Sequence, residues 1–284
     1  PRSLVASILR TDPGSPANPP RFVARTVLHH RAGVASLLHL PRVLPATTLT
    51  VPIMMYHHVS SVIPTTDLNY GLTVTDSDFA GQLDYLQRHG YHTILLRQLF
   101  GALYRHAALP PRPIVLTFDD GYLDNYTDAL PILRHYHDVA EFNIISAYPG
   151  ITLGINSYMT WKQIKTLLAD GMEIGSHTVD HQDLGTLSED HIRFELRDSR
   201  NILQKTLGAP VQFFCYPSGE PFKDGSAAMQ QLLLTLLPQY GYVGALLDGP
   251  VTTSVQDAQH PYQLNRIRVS GGESLAGFAG SLPW

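Results

Sequence analysis

Cysteine is almost absent: Cys215 is the only one in 284 residues. One thiol excludes an intrachain disulfide and any zinc module built from several cysteines, and it leaves either redox compartment open. Charge is sparse as well. Asp, Glu, Lys and Arg make up 15% of the chain, the formal net charge is -4, and no dense basic run occurs. A surface that tracks phosphates needs clustered Lys and Arg, so no nucleic-acid partner is expected. No apolar stretch reaches the roughly 20 residues that span a bilayer. The greasiest run, Leu232 to Leu237, is short and interrupted by Thr235, so no transmembrane segment is expected. The chain starts at Pro1 rather than Met, which leaves room for a removed leader.

What the chain does have is enough apolar material, 44% of its residues, to build a sizeable core. Its length fits one large α/β domain or two small ones. Fourteen histidines in so weakly charged a chain stand out, because imidazole is the commonest metal ligand and proton shuttle.

Residues 1–48 read as an N-terminal extension or linker. They carry seven prolines, including those of Asp12-Pro13-Gly14-Ser15-Pro16-Ala17-Asn18-Pro19-Pro20, and no sustained periodicity. Within them, Thr26 to Leu40 has the pattern of a short amphipathic helix packed on a surface. Residues 49–284 read as one catalytic domain in which strands and helices alternate. Strands are expected at Leu49–Met55, Tyr91–Leu95, Pro113–Phe118, Val139–Ser146, Met172–Gly175, Val211–Cys215, Tyr242–Leu246 and Leu264–Val269. Helices are expected from Asp76 as cap to Gly90, from Arg97 to Ala108, from Asp124 to His137 with a break at Pro131, after a Thr160/Gln163 capping box, from Ser188 to Gly208, and from Ser226 to Tyr240. Such alternation implies right-handed crossovers and a mostly parallel sheet, with about seven units able to close a barrel, complete or not.

Four polar clusters stand out: Tyr56-His57-His58, Asp119-Asp120-Gly121, His177-Thr178-Val179-Asp180-His181 and Tyr216-Pro217-Ser218-Gly219. Each begins just past the C-terminal end of an expected strand, and in a parallel barrel those ends converge on one face. Adjacent carboxylates repel, which is tolerable if one of them binds a cation. His177 and His181, four residues apart, could share one face of a helical turn and close on one metal. Taken singly, each motif fits an ordinary turn or a surface pair. Taken together, Asp120, His177 and His181 form a three-ligand set with an open position, the pattern of a catalytic site. A divalent cation there would acidify a bound water and polarise a carbonyl. Asp119, not spent on the metal, could take the water's proton; the Ser218 N–H could face the oxyanion; and His57 is the candidate acid for a departing amine.

These residues resemble the polysaccharide deacetylases, the NodB-homology or carbohydrate esterase family 4 group, over about Val51 to Leu282. Thr117-Phe118-Asp119-Asp120-Gly121 is similar to the family's TFDDG motif, and His177-Thr178-Val179-Asp180-His181 to its H-[ST]-x-x-H motif. The resemblance implies a distorted (β/α)7 barrel of mostly parallel strands. It further implies one divalent ion, Zn2+ first with Co2+ or Ni2+ open, and hydrolytic removal of acetyl from an N-acetylated sugar polymer outside the cell or in its envelope; the cytoplasm stays open. Two departures stand out. Cys215-Tyr216-Pro217-Ser218-Gly219 replaces the usual R-P-P-Y-G, so the base lacks its usual orienting Arg, and Arg266 is the candidate replacement. The C-terminal motif that carries the family's acid lacks its His. Met55-Tyr56-His57-His58-Val59, however, is similar to the permuted subgroup acting on poly-N-acetylglucosamine, in which that strand comes first. His57 is thus expected as acid, with His58 as alternative.

Tyr122 and Tyr216 are candidates for substrate contact, Tyr148 for stacking or plain packing, Trp161 and Phe194 for core, and Cys215 for an inert buried thiol. Other functions on the same ligands would be hydrolysis of a different amide, an imide or an O-acetyl ester such as acetylxylan, or carbohydrate binding without catalysis.

Overall fold

The computed structural model describes residues 47–63, 67–248 and 253–284. Nearly all of the expected N-terminal extension, with its helix at Thr26–Leu40, lies outside the described residues. The residues just before the expected boundary already join the fold: Thr48 pairs with Asp257 in a short antiparallel ribbon.

The central sheet is built from β1 (Ile53–Tyr56), β2 (His92–Thr93), β3 (Pro113–Phe118), β4 (Glu141–Ile144), β5 (Glu173–Ser176), β6 (Phe213–Cys215), β7 (Gly244–Leu246) and β8 (Ile267–Arg268). Its order is β7-β6-β5-β4-β3-β1-β8, with β2 beside the start of β3, and every pairing is parallel. The two edges meet where Leu246 and Leu264 form a parallel bridge, so the sheet curls round on itself into the expected distorted barrel. Several strands are shorter than their apolar runs, because the flanking residues leave the ladder to form the rims.

The outer helices are α1 (Asp76–Arg88), α2 (Leu96–Arg105), α3 (Leu130–Tyr136), α4 (Trp161–Ala169), α5 (Glu189–Leu207) and α6 (Ala227–Gln239). The Thr160/Gln163 capping box opens α4 as expected, and Ser188 and Ser226 cap α5 and α6. At α1 the cap is Thr75, which accepts from the Asp78 N–H, and Asp76 is the first helical residue. The expected break at Pro131 takes the form of a wide helical turn, Asn125–Ala129, leading into α3. Phe194 is 40% exposed rather than in the core, since α5 turns Ile192, Leu196 and Leu203 inward instead.

Strand alternation divides the apolar residues into two layers. Ile114, Leu116, Phe118, Phe142 and Ile144 pack outward with the helices. Ile53, Val115, Phe213 and Leu246 form a second cluster with Leu96, Leu99 and Phe100 of α2. Phe100 plugs the end of the barrel remote from the polar clusters. Its ring lies 4.9 Å from that of Phe213, and a Cβ on Gly244 would fall 2.3 Å from it. Glycine at the start of β7 is thus what lets the plug seat. Among the described residues no helix is long and apolar enough to cross a membrane. Removing the plug with Phe100→Ala should cost about 3–5 kcal/mol as a cavity opens in a closed interior; a urea midpoint equal to that of the parent chain would contradict this account of the core.

Candidate active site and metal centre

The four polar clusters and Arg266 meet at the C-terminal rim of the barrel. His57, Asp119, Asp120, Tyr122, His177, His181, Tyr216, Ser218 and Arg266 all line one cavity of about 360 Å³. The sequence separates these residues widely, and the parallel strands bring them together because each follows or begins a strand of the same ring.

Asp119 continues the ladder of β3, its N–H donating to the Tyr56 carbonyl at 2.9 Å. Asp120 then turns out of the strand with φ 72°, in the left-handed region that most side chains avoid. Thr178, His181 and Ser218 also have positive φ, so strained backbone is concentrated at this rim. The His177–His181 segment is not the helical turn that its spacing suggests. It is a loop after β5 whose shape is set by side chains: Thr178 Oγ1 accepts from the His181 N–H at 2.9 Å, and Glu195 of α5 accepts from the Val179 N–H at 2.7 Å. The spacing works through this loop rather than through a helix.

Asp120 Oδ1 lies 3.3 Å from His177 Nε2 and 3.3 Å from His181 Nε2, yet it is buried without a hydrogen-bond partner. His177 Nδ1 meets the Cys215 carbonyl at 2.9 Å, a contact that requires a proton on Nδ1 and turns Nε2 toward the Asp120 carboxylate. Three donor atoms within reach of one another, one carboxylate and two imidazole, fit a divalent cation. A second grouping, Asp119, His177 and Cys215, is also close enough. There, however, the Arg266 guanidinium already lies 3.2 Å from Cys215 Sγ and 2.8 Å from Asp119 Oδ1, so the positive charge in that space is supplied by the chain.

The Arg266–Asp119 contact was expected from sequence only as a replacement for a missing partner. Arg266 is 3% exposed and also donates to the Leu247 carbonyl at 2.7 Å, which fixes the stem of the guanidinium. Asn143, which sequence reasoning missed, donates to the same oxygen of Asp119 at 2.7 Å. The available signal was weak, a polar residue alternating with apolar ones in the short run Glu141-Phe142-Asn143-Ile144. Asp119 Oδ1 therefore carries two donors, whereas Oδ2 meets only the Cys215 thiol at 3.6 Å. Burial by itself would raise the Asp119 carboxyl, but Arg266 and then His177 hold it well below the usual carboxylate range. Burial likewise opposes ionisation of Asp120, and the His177 and His181 imidazoles outweigh it. Burial pushes the Cys215 thiol upward, in keeping with an inert thiol.

His57 lines the cavity, with its Nδ1 buried and unpartnered. Burial lowers its imidazole below the ordinary value, against the pull of Asp119 and Asp120. His58, the alternative acid, is turned away into packing: it stacks on Tyr122 at 3.7 Å between centroids, and its Nδ1 lies 2.6 Å from Asp124. Tyr122 has that ring at its back and is 6% exposed, so it offers the cavity an edge more than a face. The expectation for Tyr216 needs correction. Its ring is wholly buried against Phe214 and Phe222 and its hydroxyl donates to the Tyr262 carbonyl at 3.0 Å, so it walls the cavity and cannot serve as a stacking surface. Lys223, Asp248 and Arg268, not foreseen, add charge to the rim, with Arg268 Nη2 2.5 Å from Asp248.

The parallel barrel thus sets a two-histidine, one-carboxylate cluster that could hold a metal ion beside a second, arginine-bound carboxylate. Comparison with known proteins makes the resemblance specific: residues 106–237 match the polysaccharide deacetylase family model. It is 29% identical over 228 residues to YxkH of Bacillus subtilis, provisionally named a polysaccharide deacetylase, covering 80% of this chain and 74% of that protein. It is 26% identical over 236 residues to the poly-beta-1,6-N-acetyl-D-glucosamine N-deacetylase of Staphylococcus epidermidis, covering 76% and 77%. Among solved structures, the Streptococcus pyogenes deacetylase PplD in complex with acetate superposes with a TM-score of 0.71 at 28% identity, over 84% of this chain and all of that one. His57 and Arg266 fall outside the matched family segment, as expected if the rim is completed from both ends of the chain.

Burial opposes protonation of His177, but Cys215 and the Asp120 and Asp119 carboxylates push its imidazole well above the ordinary value. A cation binding at Nε2 must displace that proton, so binding should release protons and weaken as pH falls. Calorimetric Zn2+ titrations in two buffers of different ionisation enthalpy measure the release; none at pH 6 would mean that His177 is already neutral, and unchanged affinity in Asp120→Asn would mean that the cation sits elsewhere.

Proposed function

We propose that this chain is a metal-dependent hydrolase that removes N-acetyl groups from an N-acetylglucosamine-containing polysaccharide. The observation that carries this reading is the pairing of the Asp120–His177–His181 cluster with a separate, doubly held carboxylate, Asp119, in one open cavity. The kinship with a protein named as a poly-N-acetylglucosamine N-deacetylase supports the sugar and the amide.

Asp120, His177 and His181 would hold the cation, Zn2+ first among Zn2+, Co2+ and Ni2+, which when bound supplies Lewis-acid polarisation of the acetyl carbonyl and a more acidic water. Asp119 acts as base. Its Oδ1 is saturated by Arg266 and Asn143, so the proton goes to Oδ2, whose one recorded partner is a weak S–H donor at 3.6 Å. Held well below the usual carboxylate range, Asp119 is ionised, the form a base must have, at any ordinary pH. The Ser218 N–H, presented by the Pro217–Gly219 turn, faces the developing oxyanion. His57 gives its proton to the leaving amine; burial works against the charged imidazole that this step needs, and the Asp119 and Asp120 carboxylates offset only part of it. Arg266 is a positioning residue that acts through Asp119. An acetylated polymer is the partner, and a surface or extracellular setting follows from such a substrate.

The test is acetate release from N-acetylglucosamine oligomers, with acetylxylan and non-sugar amides in parallel. Activity should be abolished by a chelator and restored by Zn2+. Release from acetylxylan or non-sugar amides alone would replace the substrate assignment, and sugar binding without any release would replace the enzyme by a binding module. Asp119→Asn and His57→Ala should each lower kcat by about 10² to 10⁴; near-normal turnover in either removes that residue from its role. Because burial lowers His57, the alkaline fall in kcat/KM should lie below the ordinary imidazole value, and a midpoint well above it would assign the acid to another group.

A further inference from the structure

Beneath the base lies a carboxyl group that the reaction above does not use. Glu141 and Asn143 of β4 face the barrel interior, and both are completely buried. In the ladder Glu141 pairs with Thr117 on one side and Glu173 on the other, and Asn143 pairs with Gly175. Asn143 spends its amide N–H on Asp119 at 2.7 Å, but its own Oδ1 has no partner, and neither has either oxygen of Glu141. A Cβ on Gly175 would fall 2.2 Å from Asn143 Oδ1 and 2.6 Å from Glu141 Oε1, so these two acceptors share the space that glycine leaves.

The surroundings offer an ionised Glu141 no donor. Thr117 gives its hydroxyl proton to the Met54 carbonyl at 2.8 Å. Glu173, within hydrogen-bond reach of Glu141, is itself a carboxylate whose oxygens already accept from the Arg97 backbone N–H at 3.2 Å and guanidinium at 3.3 Å, so Asn143 Oδ1 is the neighbouring acceptor still without a donor. Arg266 is committed to Leu247, Thr117, Asp119 and Cys215. A buried carboxylate among acceptors is strongly disfavoured, whereas a carboxylic acid there has one proton to give.

We infer that Glu141 is a neutral carboxylic acid whose O–H donates to Asn143 Oδ1, so that Glu141 and Asn143 act together as positioning residues for Asp119. With the Asn143 oxygen held from below, its NH2 must point up at the base, which removes the alternative amide flip. Burial first, and then the Glu173 carboxylate, push the Glu141 carboxyl well above the ordinary range, with Arg266 opposing. The positioning role rests on the deacetylase reading; the protonation state does not.

Two measurements separate these parts. An infrared difference spectrum, parent minus Glu141→Gln at neutral pH, should contain the C=O stretch of a protonated carboxyl; its absence would overturn the inference whether or not the protein is an enzyme. In the acetate assay Glu141→Gln, which keeps a neutral donor, should retain kcat within about threefold, while Glu141→Leu and Asn143→Leu should each lose about tenfold or more with KM nearly unchanged. The Zn2+ affinity of all three should match the parent, and the double Leu variant should be little worse than either single one. A Glu141→Leu enzyme as active as the parent, or a Glu141→Gln enzyme as impaired as Glu141→Leu, would overturn the positioning role. Should the parent release no acetate, the functional reading fails while the infrared band still decides the proton.

Discussion

Two carboxylates on consecutive residues, both taken out of water, are the constraint around which this molecule is arranged. Asp119 and Asp120 are 2% and 7% exposed, and neither could stay ionised there without positive charge supplied at close range. The chain separates the two problems by a single turn of backbone. The left-handed conformation of Asp120 sends its carboxylate to the two imidazoles, while Asp119 stays in the strand direction and meets Arg266 inside the barrel. One charge is neutralised by a residue of the chain and the other is left facing a cluster that fits a cation. That division gives adjacent, chemically identical side chains different work.

Much of this was legible from the residues. Asp119-Asp120-Gly121 and the two histidines announce themselves because their residue types are costly to bury for any other purpose, and strand ends supply the reason they meet. Arg266 became legible through a vacancy, since Cys215 stands where the family has an arginine and a buried carboxylate still needs one. The conformation of the histidine loop was not legible. A spacing of four is the helical repeat, and only the tertiary anchors on Thr178 and Glu195 replace the helix with a loop. Tyr216 misled for a related reason: position just past a strand says which rim a residue reaches, not whether its ring points into the cavity or into the core. Asn143 and Glu141 stayed hidden because their strand reads as a short mixed run, and the inward direction of both appears only once β3 and β5 are set beside it.

The barrel interior is consequently two materials stacked along one axis. Toward the α2 end it is hydrocarbon, closed by Phe100 and Phe213. Toward the rim it becomes a polar lattice of Thr117, Glu141, Asn143, Arg266 and Asp119, in which the hydroxyl, amide and guanidinium donors are committed and the acceptors of Glu141 and Asn143 face each other's space. Such a lattice contributes little net stability for its size, because each polar group exchanges water for a partner. What it provides is a single arrangement of the Asp119 carboxylate, since moving any member would strand another.

One further consequence lies in where the three cation-facing side chains come from. Asp120 follows β3, His177 and His181 follow β5, and β4 between them contributes none. An ion held by all three would therefore stitch the sheet crosswise, over a strand it never touches, adding a rivet perpendicular to the backbone ladders. Heat resistance would then track the supply of free metal in the surroundings, and scarcity would slacken the scaffold along with its chemistry.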